Sequence, residues 1–318
     1  MTRSIPPTRK LAAIGLGIML AGSATSSGAL IVQELFDGIA GPPPGTDGTL
    51  NGKGDTSTSL GMTGTWVTNS NTGIFTASNF NSGAGLPGLP SNAGTTGGVW
   101  NNTNNYGTDI YATRPLATPI DFAVSQTVYF SVILNNSGDT NVGIGLASGP
   151  GPGAKFVGAG LTWNNARSLA TGNNDAGNAS FISYGTLSDP TDLANPSGPY
   201  GIRNHEAAGS VNGSALIVGR LTINSTGADL IDIKRYSVGD TIESDPSLVA
   251  WSVSDSVDTS MVANNLLLWV NGVSGSGAGE VDGIRMGTTW TDVTGAVPEP
   301  GSLLLCVVGA ASFLRRRR

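Results

Sequence analysis

Apolar side chains recur at every second position along two stretches of the chain: Val128, Phe130, Val132 and Leu134 share one face, and Leu216, Val218, Arg220 and Thr222 oppose Ile217, Leu221 and Ile223. A period of two belongs to strands with one face buried. The same short β-branched or aromatic runs predict strands over Leu30–Leu35, Thr65–Thr68, Gly73–Ala77, Thr127–Leu134, Val142–Leu146, Lys155–Thr162, Ala179–Tyr184, Ser214–Ile223, Asp229–Tyr236, Leu266–Val270 and Val281–Gly287. Between them Asn136-Ser137-Gly138-Asp139, Asn212-Gly213 and Asn271-Gly272 read as turns. Gly41–Gly64 and Asn79–Asn105, rich in Gly, Thr, Ser and Asn, are expected to be surface loops. No long helical period interrupts the series, so the pattern predicts an all-β sandwich in one domain.

The two ends follow a different pattern. Arg3, Arg9 and Lys10 precede an apolar run, Leu11 to Ala21, and then a small-residue stretch, Gly22 to Ala29. This order is that of a secretory signal peptide, with Ala24 and Ala29 as the two positions where a peptidase needing small side chains would cut. Eleven apolar residues reach only about 17 Å as a helix, short of a ~30 Å hydrocarbon core. At the other end Val297-Pro298-Glu299-Pro300 precedes the apolar run Leu303–Leu314 and the cluster Arg315, Arg316, Arg317 and Arg318. The arginines form a stop signal held on the cytoplasmic side, while the prolines keep the tetrapeptide extended.

This tail resembles the PEP-CTERM sorting signal of bacterial exported proteins. The resemblance implies an exosortase-type membrane enzyme as partner beside signal peptidase, transient residence in the inner membrane, cleavage near Pro298–Pro300, and delivery to the cell surface or extracellular polysaccharide. The apolar span is short, about 18 Å as a helix, so flanking arginines would have to snorkel or the bilayer to thin. The chain thus divides into a signal peptide at 1–29, a body at 30–296 and a sorting signal with a short transmembrane helix at 297–318.

Composition sharpens the picture of the body. The 318-residue chain has one His, one Cys, 47 Gly and only 12% charged residues. One His and one Cys exclude the usual zinc sites, a catalytic Cys/His pair and any intrachain disulfide. Without its ends the body keeps 9 Lys+Arg against 21 Asp+Glu, a net charge near −12. Such a surface repels phosphate backbones, so nucleic acid is excluded as a partner. Leu30 to Asp37, Asn51-Gly52, Gly64-Thr65-Trp66, the Leu86–Pro90 segment and the closing Val281 to Trp290 are similar to concanavalin A-like, laminin G-like jelly rolls. That resemblance implies first and last strands lying side by side in one sheet; the family holds carbohydrate binders, hydrolases and domains without assigned activity.

Few residues offer chemistry. Glu280 and Asp282 supply two carboxylates on one strand, but Ile284 and Arg285 stand where glycoside hydrolases of this fold carry the third. Gly83 to Gly88 matches a dinucleotide fingerprint in letters only, since Pro87 and Pro90 exclude the required helix. No nucleophile elbow occurs, and His205 reads as a loop or strand-end side chain. Asp139–Asn141, Asn173-Asn174-Asp175 and Asp255–Asp258 gather oxygen donors of the kind calcium takes, without an EF-hand spacing. Among six tryptophans, Trp66 and Trp269 fall inside strand patterns and are expected in the core; Trp100 and Trp163, set among Gly and Asn, are the candidate glycan-stacking indoles. The leading expectation is an exported surface or matrix protein with a non-catalytic body and no bound cofactor, followed by a lectin-like glycan binder and last by a glycoside hydrolase.

Overall fold

The two alternating stretches become neighbouring strands whose shared apolar face lines the centre of a sandwich. The computed structural model describes residues 28–36, 50–52, 54, 59–68, 76–77, 86, 99–103, 109–137, 140–162, 179–187, 202–206, 214–257, 259–272 and 277–295. Fifteen strands run through them: β1 Leu30–Glu34, β2 Val67–Thr68, β3 Thr76–Ala77, β4 Val99–Thr103, β5 Asp109–Asp121, β6 Gln126–Ser137, β7 Thr140–Ala147, β8 Lys155–Thr162, β9 Ala179–Thr186, β10 Ile202–His205, β11 Ala215–Ile223, β12 Asp229–Tyr236, β13 Val253–Val257, β14 Val262–Gly272 and β15 Gly277–Gly287. A short helix, α1, spans Trp290–Thr294.

The chain is all-β, in two antiparallel sheets. One has the order β13-β12-β11-β6-β15-β4-β3, with β1 also on β15; the other runs β10-β9-β8-β7-β14-β5-β2. β1 and β4 occupy successive lengths of the same β15 edge, pairing Leu30 with Gly287 and Val99 with Val281. The expectation that first and last strands adjoin is therefore met. A bulge interrupts β15 between Asp282 and Arg285, where Gly283 takes φ +58°, a left-handed angle that glycine adopts at no steric cost.

The residues that face the sandwich centre follow the period of two. Val128, Phe130, Val132 and Leu134 join Ile217, Leu221 and Ile223 in a core completed from the other sheet by Val142, Ile144, Leu161 and Leu268. Apolar residues on the opposite faces are buried too. Leu216, Val218 and Ile133 pack under Tyr236, Val249 and Trp290, while Tyr111, Phe156, Phe181 and Trp269 form a third cluster. Trp66 and Trp269 are fully buried, as expected; Trp269 lies in β14 and Trp66 directly ahead of β2. Gly143 and Gly158 leave room for the Trp269 indole: a Cβ would lie 2.4 Å from its Cζ2 at position 143 and 2.6 Å from its Cη2 at position 158.

Polar links join the sheets. Glu34 on β1 accepts from the Arg114 guanidinium on β5 at 2.5 Å, both side chains being buried. Ser59 donates to the same carboxylate (3.1 Å) and accepts from Arg114 (2.8 Å), and the Glu34 Oε1 atom accepts from the Phe36 amide (3.1 Å). On the β10 side the Arg235–Glu206 ion pair (2.8 Å) and the Asn204 amide on the Ser254 carbonyl (2.9 Å) tie the two sheets together.

The Tyr236 hydroxyl donates to the Glu243 carboxylate, and the Trp290 indole N–H donates to the Glu243 carbonyl at 2.6 Å. Burial, then the hydrogen bond and charge of Glu243, push the Tyr236 phenol far above its usual value; burial also raises Tyr129. An unfolded tyrosine ionises near pH ~10, whereas the folded one stays neutral. The contribution is therefore fully present below about pH 10 and lost as pH rises beyond it. Thermal melts across that range are expected to show falling stability, with a shallower fall in Tyr236→Phe.

Several sequence expectations are corrected. Asn79–Asn105 is not wholly loop, because it contains β4. Asn271-Gly272 is no turn but the last ladder pairs of β14 with Asn141 and Thr140. β5, β10, β13 and α1 were not anticipated. β5 carries Pro115 and Pro119, which read as strand breakers. The fold accommodates Pro115 beside a register shift between Ala263 and Asn265 of β14. Among the described residues no helix is long and apolar enough to cross a membrane; residues 297–318, where the transmembrane helix is expected, lie outside them.

Candidate functional site

Antiparallel strands place their turns at the ends of a sandwich, and three described connections meet at one end: residues 122–125 between β5 and β6, 224–228 between β11 and β12, and 259–261 ahead of β14. Between them lies a pocket of about 530 Å3 lined by Asp121, Asn224, Ser225, Asp229 and Ser260, with Phe122 and Met261 as apolar surface. Its size falls in the ~300–1,000 Å3 range of small-molecule sites.

Each polar residue is fixed by its turn. Asp121 Oδ1 accepts from the Ala123 amide (2.8 Å), and Asp229 Oδ1 from the Asn224 amide (2.9 Å). The first two turns are joined through Ser125 and Ser225, whose hydroxyls lie 3.0 Å apart, and the Phe122 amide donates to the Met261 carbonyl at 3.0 Å. Lys155 reaches the rim, donating to the Ser260 carbonyl at 3.0 Å. The buried hydroxyl of Thr259, also in the lining, has no hydrogen-bond partner among the described residues. The result is a set of carboxylates, hydroxyls and an amide beside apolar carbon, which is what a ligand with alternating hydroxyls and C–H faces requires.

The residues singled out in the sequence fare differently. Trp100 lies in β4, opposite Glu280 of β15 and Thr76 of β3, so it belongs to a sheet and not to a loop; its side chain, and Trp163 entirely, lie outside the described residues. So do Val297, Pro298, Glu299, Pro300 and Arg315 to Arg318. Glu280 is half-buried and accepts from the Asn135 amide at 2.7 Å; burial raises its pKa, partly offset by that bond. Asp282 is buried, with Oδ1 accepting from the Gly283 amide at 2.6 Å. These two carboxylates are thus held inside the sheet with local partners. His205 ends β10 with Nδ1 donating to the Glu206 carbonyl at 2.8 Å, a strand-end role.

Of the three segments expected to gather calcium donors, Asn141 is buried in β7 and Asp255 lies in β13, while Asp139, 173–175 and Asp258 lie outside the described residues. Among the described residues no group of three or more acidic, His or Cys side chains gathers as a metal site. The pocket itself escaped the sequence reading because its residues come from three turns, 122–125, 224–228 and 259–261, that are not neighbours in the chain. Also unread was the half-exposed cluster in which Arg220 lies over Trp251 at 5.1 Å, while Tyr129 and Trp251 each meet Trp290 edge-on.

No family model matches the chain, and no curated protein matches it. Solved structures do align. A GH43 glycoside hydrolase with an active site engineered to give both endo-xylanase and exo-arabinofuranosidase activity aligns at 13% identity over 60% of this chain and 34% of its own, TM-score 0.33; the chain spans about a third of that enzyme. The endo-β-1,4-glucuronan lyase of the fungus Trichoderma reesei aligns at 11% identity over 71% and 91%, TM-score 0.34. The carbohydrate recognition domain of Emp47p aligns at 10% identity over 70% and 87%, TM-score 0.38. The expectation of a non-catalytic body is corrected to this extent: the similar structures include a hydrolase and a polysaccharide lyase as well as a recognition domain.

Proposed function

We propose that this chain is an exported protein, sorted through its C-terminal tail to the cell surface or extracellular matrix, whose concanavalin A-like jelly-roll body binds a neutral saccharide in the end pocket. The observation that carries the binding reading is the pocket's donor set, with Asp121 and Asp229 beside serine hydroxyls and apolar carbon. The body's net charge near −12 disfavours polyanionic glycans, leaving neutral ones as the class that approaches without repulsion. Export is supported by the order of charge, apolar run and small residues at the start. Sorting is supported by the Val297–Pro300 motif, apolar run and arginines at the end. The last strand and the first share one ladder, and its pairs from Leu30 to Glu34 lie within the body.

A glycan array with the purified protein tests the binding. Saturable binding to neutral glycans is expected, with Asp121→Asn weakening it about tenfold or more, since a hydrogen bond to a charged group contributes roughly 1.5–3 kcal/mol. No binding to neutral glycans, or binding lost in Trp100→Ala and retained in Asp121→Asn, would overturn the assignment. The two pocket carboxylates favour one further reading, glycoside hydrolysis, which uses a carboxyl pair ~5–10 Å apart; release of reducing ends, abolished by Asp121→Asn, distinguishes it from binding alone.

A further inference from the structure

The sequence leaves two positions for the signal-peptidase cut, after Ala24 and after Ala29, both preceded by small residues. The fold separates them. The Ala29 amide donates to the Thr288 hydroxyl at 3.0 Å, and the Thr288 amide donates back to the Ala29 carbonyl at 3.1 Å, extending the β1–β15 ladder by one step beyond Leu30 and Gly287.

Gly28 is fitted more closely still. A Cβ on it would lie 2.2 Å from the Thr289 hydroxyl and 2.5 and 2.6 Å from the two Asp292 carboxylate oxygens. These groups form the capping box that starts α1, where Asp292 accepts from the Thr289 amide at 2.9 Å. A side chain there would have to displace the Thr289 and Asp292 groups of the capping box. Residues 28 and 29 thus belong to the folded body as much as β1 does. A cut after Ala29 would discard both, remove the acceptor of the Thr288 amide and leave a charged amine on Leu30 at the head of the ladder. A cut after Ala24 keeps every one of these contacts.

We propose that signal peptidase cuts after Ala24, so that the mature protein begins at Thr25 and Gly28–Ala29 close the sheet against β15 and α1. The inference rests on the export reading. Its test is the full-length chain produced in an exporting bacterium, with the amino terminus of the recovered protein read by Edman sequencing and intact mass. Thr25 as first residue is the expected result. Leu30 overturns the inference while leaving export standing; an uncut chain beginning at Met1 overturns both. A pair of variants supplies the independent check, because a bulky side chain directly before the cut blocks the enzyme. Ala24→Gln should reduce the Thr25 product at least tenfold, whereas Ala29→Gln should leave cleavage unchanged; the reverse pattern would place the cut after Ala29.

Discussion

Replacing Glu34 with alanine is expected to destabilise the protein by about 3–5 kcal/mol, the cost of breaking a buried ion pair by removing one partner. The partner is Arg114, whose guanidinium is buried and reaches across from β5 to the Glu34 carboxylate of β1. Arg114 also donates to the Ser59 hydroxyl and the Gly64 carbonyl, neither of which carries a charge. Because desolvation of both ions offsets most of their attraction, the double change Glu34→Leu with Arg114→Met should recover much of the loss. Urea unfolding of the three proteins checks this: equal losses in the single and double variants would mean that the ion pair does not set the energetics of this joint.

The second large effect is expected at Gly158. An alanine Cβ there would fall 2.2 Å from the Ile144 carbonyl oxygen and 2.6 Å from the Trp269 Cη2 atom. The first contact is with backbone, which cannot swing aside, so the loss should reach the upper end of the roughly 1–3 kcal/mol typical of overpacking, or exceed it. Gly149→Ala is the control, since its Cβ would meet only the Ala154 Cβ at 3.7 Å; it should stay within about 0.5 kcal/mol of the parent. In a Trp269→Ala background the Gly158→Ala penalty should shrink without vanishing, because the carbonyl contact persists. Equal melting temperatures for the Gly158 and Gly149 variants would contradict this account of the glycine floor.

What could be read in advance tracks how locally each feature is encoded. Val128 to Leu134 and Leu216 to Ile223 declared which residues face the sandwich centre because those recur at every second position, but not that Ile133, Leu216 and Val218 on the other face are buried as well. The burial of Trp66 and Trp269 was legible too, from the apolar runs that hold them. β10 and β13 left no such print: they are edge strands with polar sequences, Ile202-Arg203-Asn204-His205 and Val253-Ser254-Asp255-Ser256-Val257, and edges are commonly polar for protection against further pairing. β5 was hidden by its prolines, of which Pro115 stands beside an irregular pairing with β14. The pocket was illegible for a different reason. Asp121, Asn224 and Ser260 each look like ordinary turn residues, and only the topology, which brings three turns to one end, turns them into a lining. Trp100, judged by its Gly and Asn neighbours, was misplaced for want of the ladder with β15 that orders it.

The central claim is that this chain leaves the cytosol and is trimmed at its tail. Its most direct test is the intact mass of the full-length chain after production in a bacterium that has an exosortase, with envelope, medium and cytosol recovered separately. The expected product is found outside the cytosol, with a carboxyl terminus between Val297 and Pro300 and the Arg315–Arg318 cluster gone. A soluble cytosolic chain still carrying both Met1 and Arg318 would contradict it.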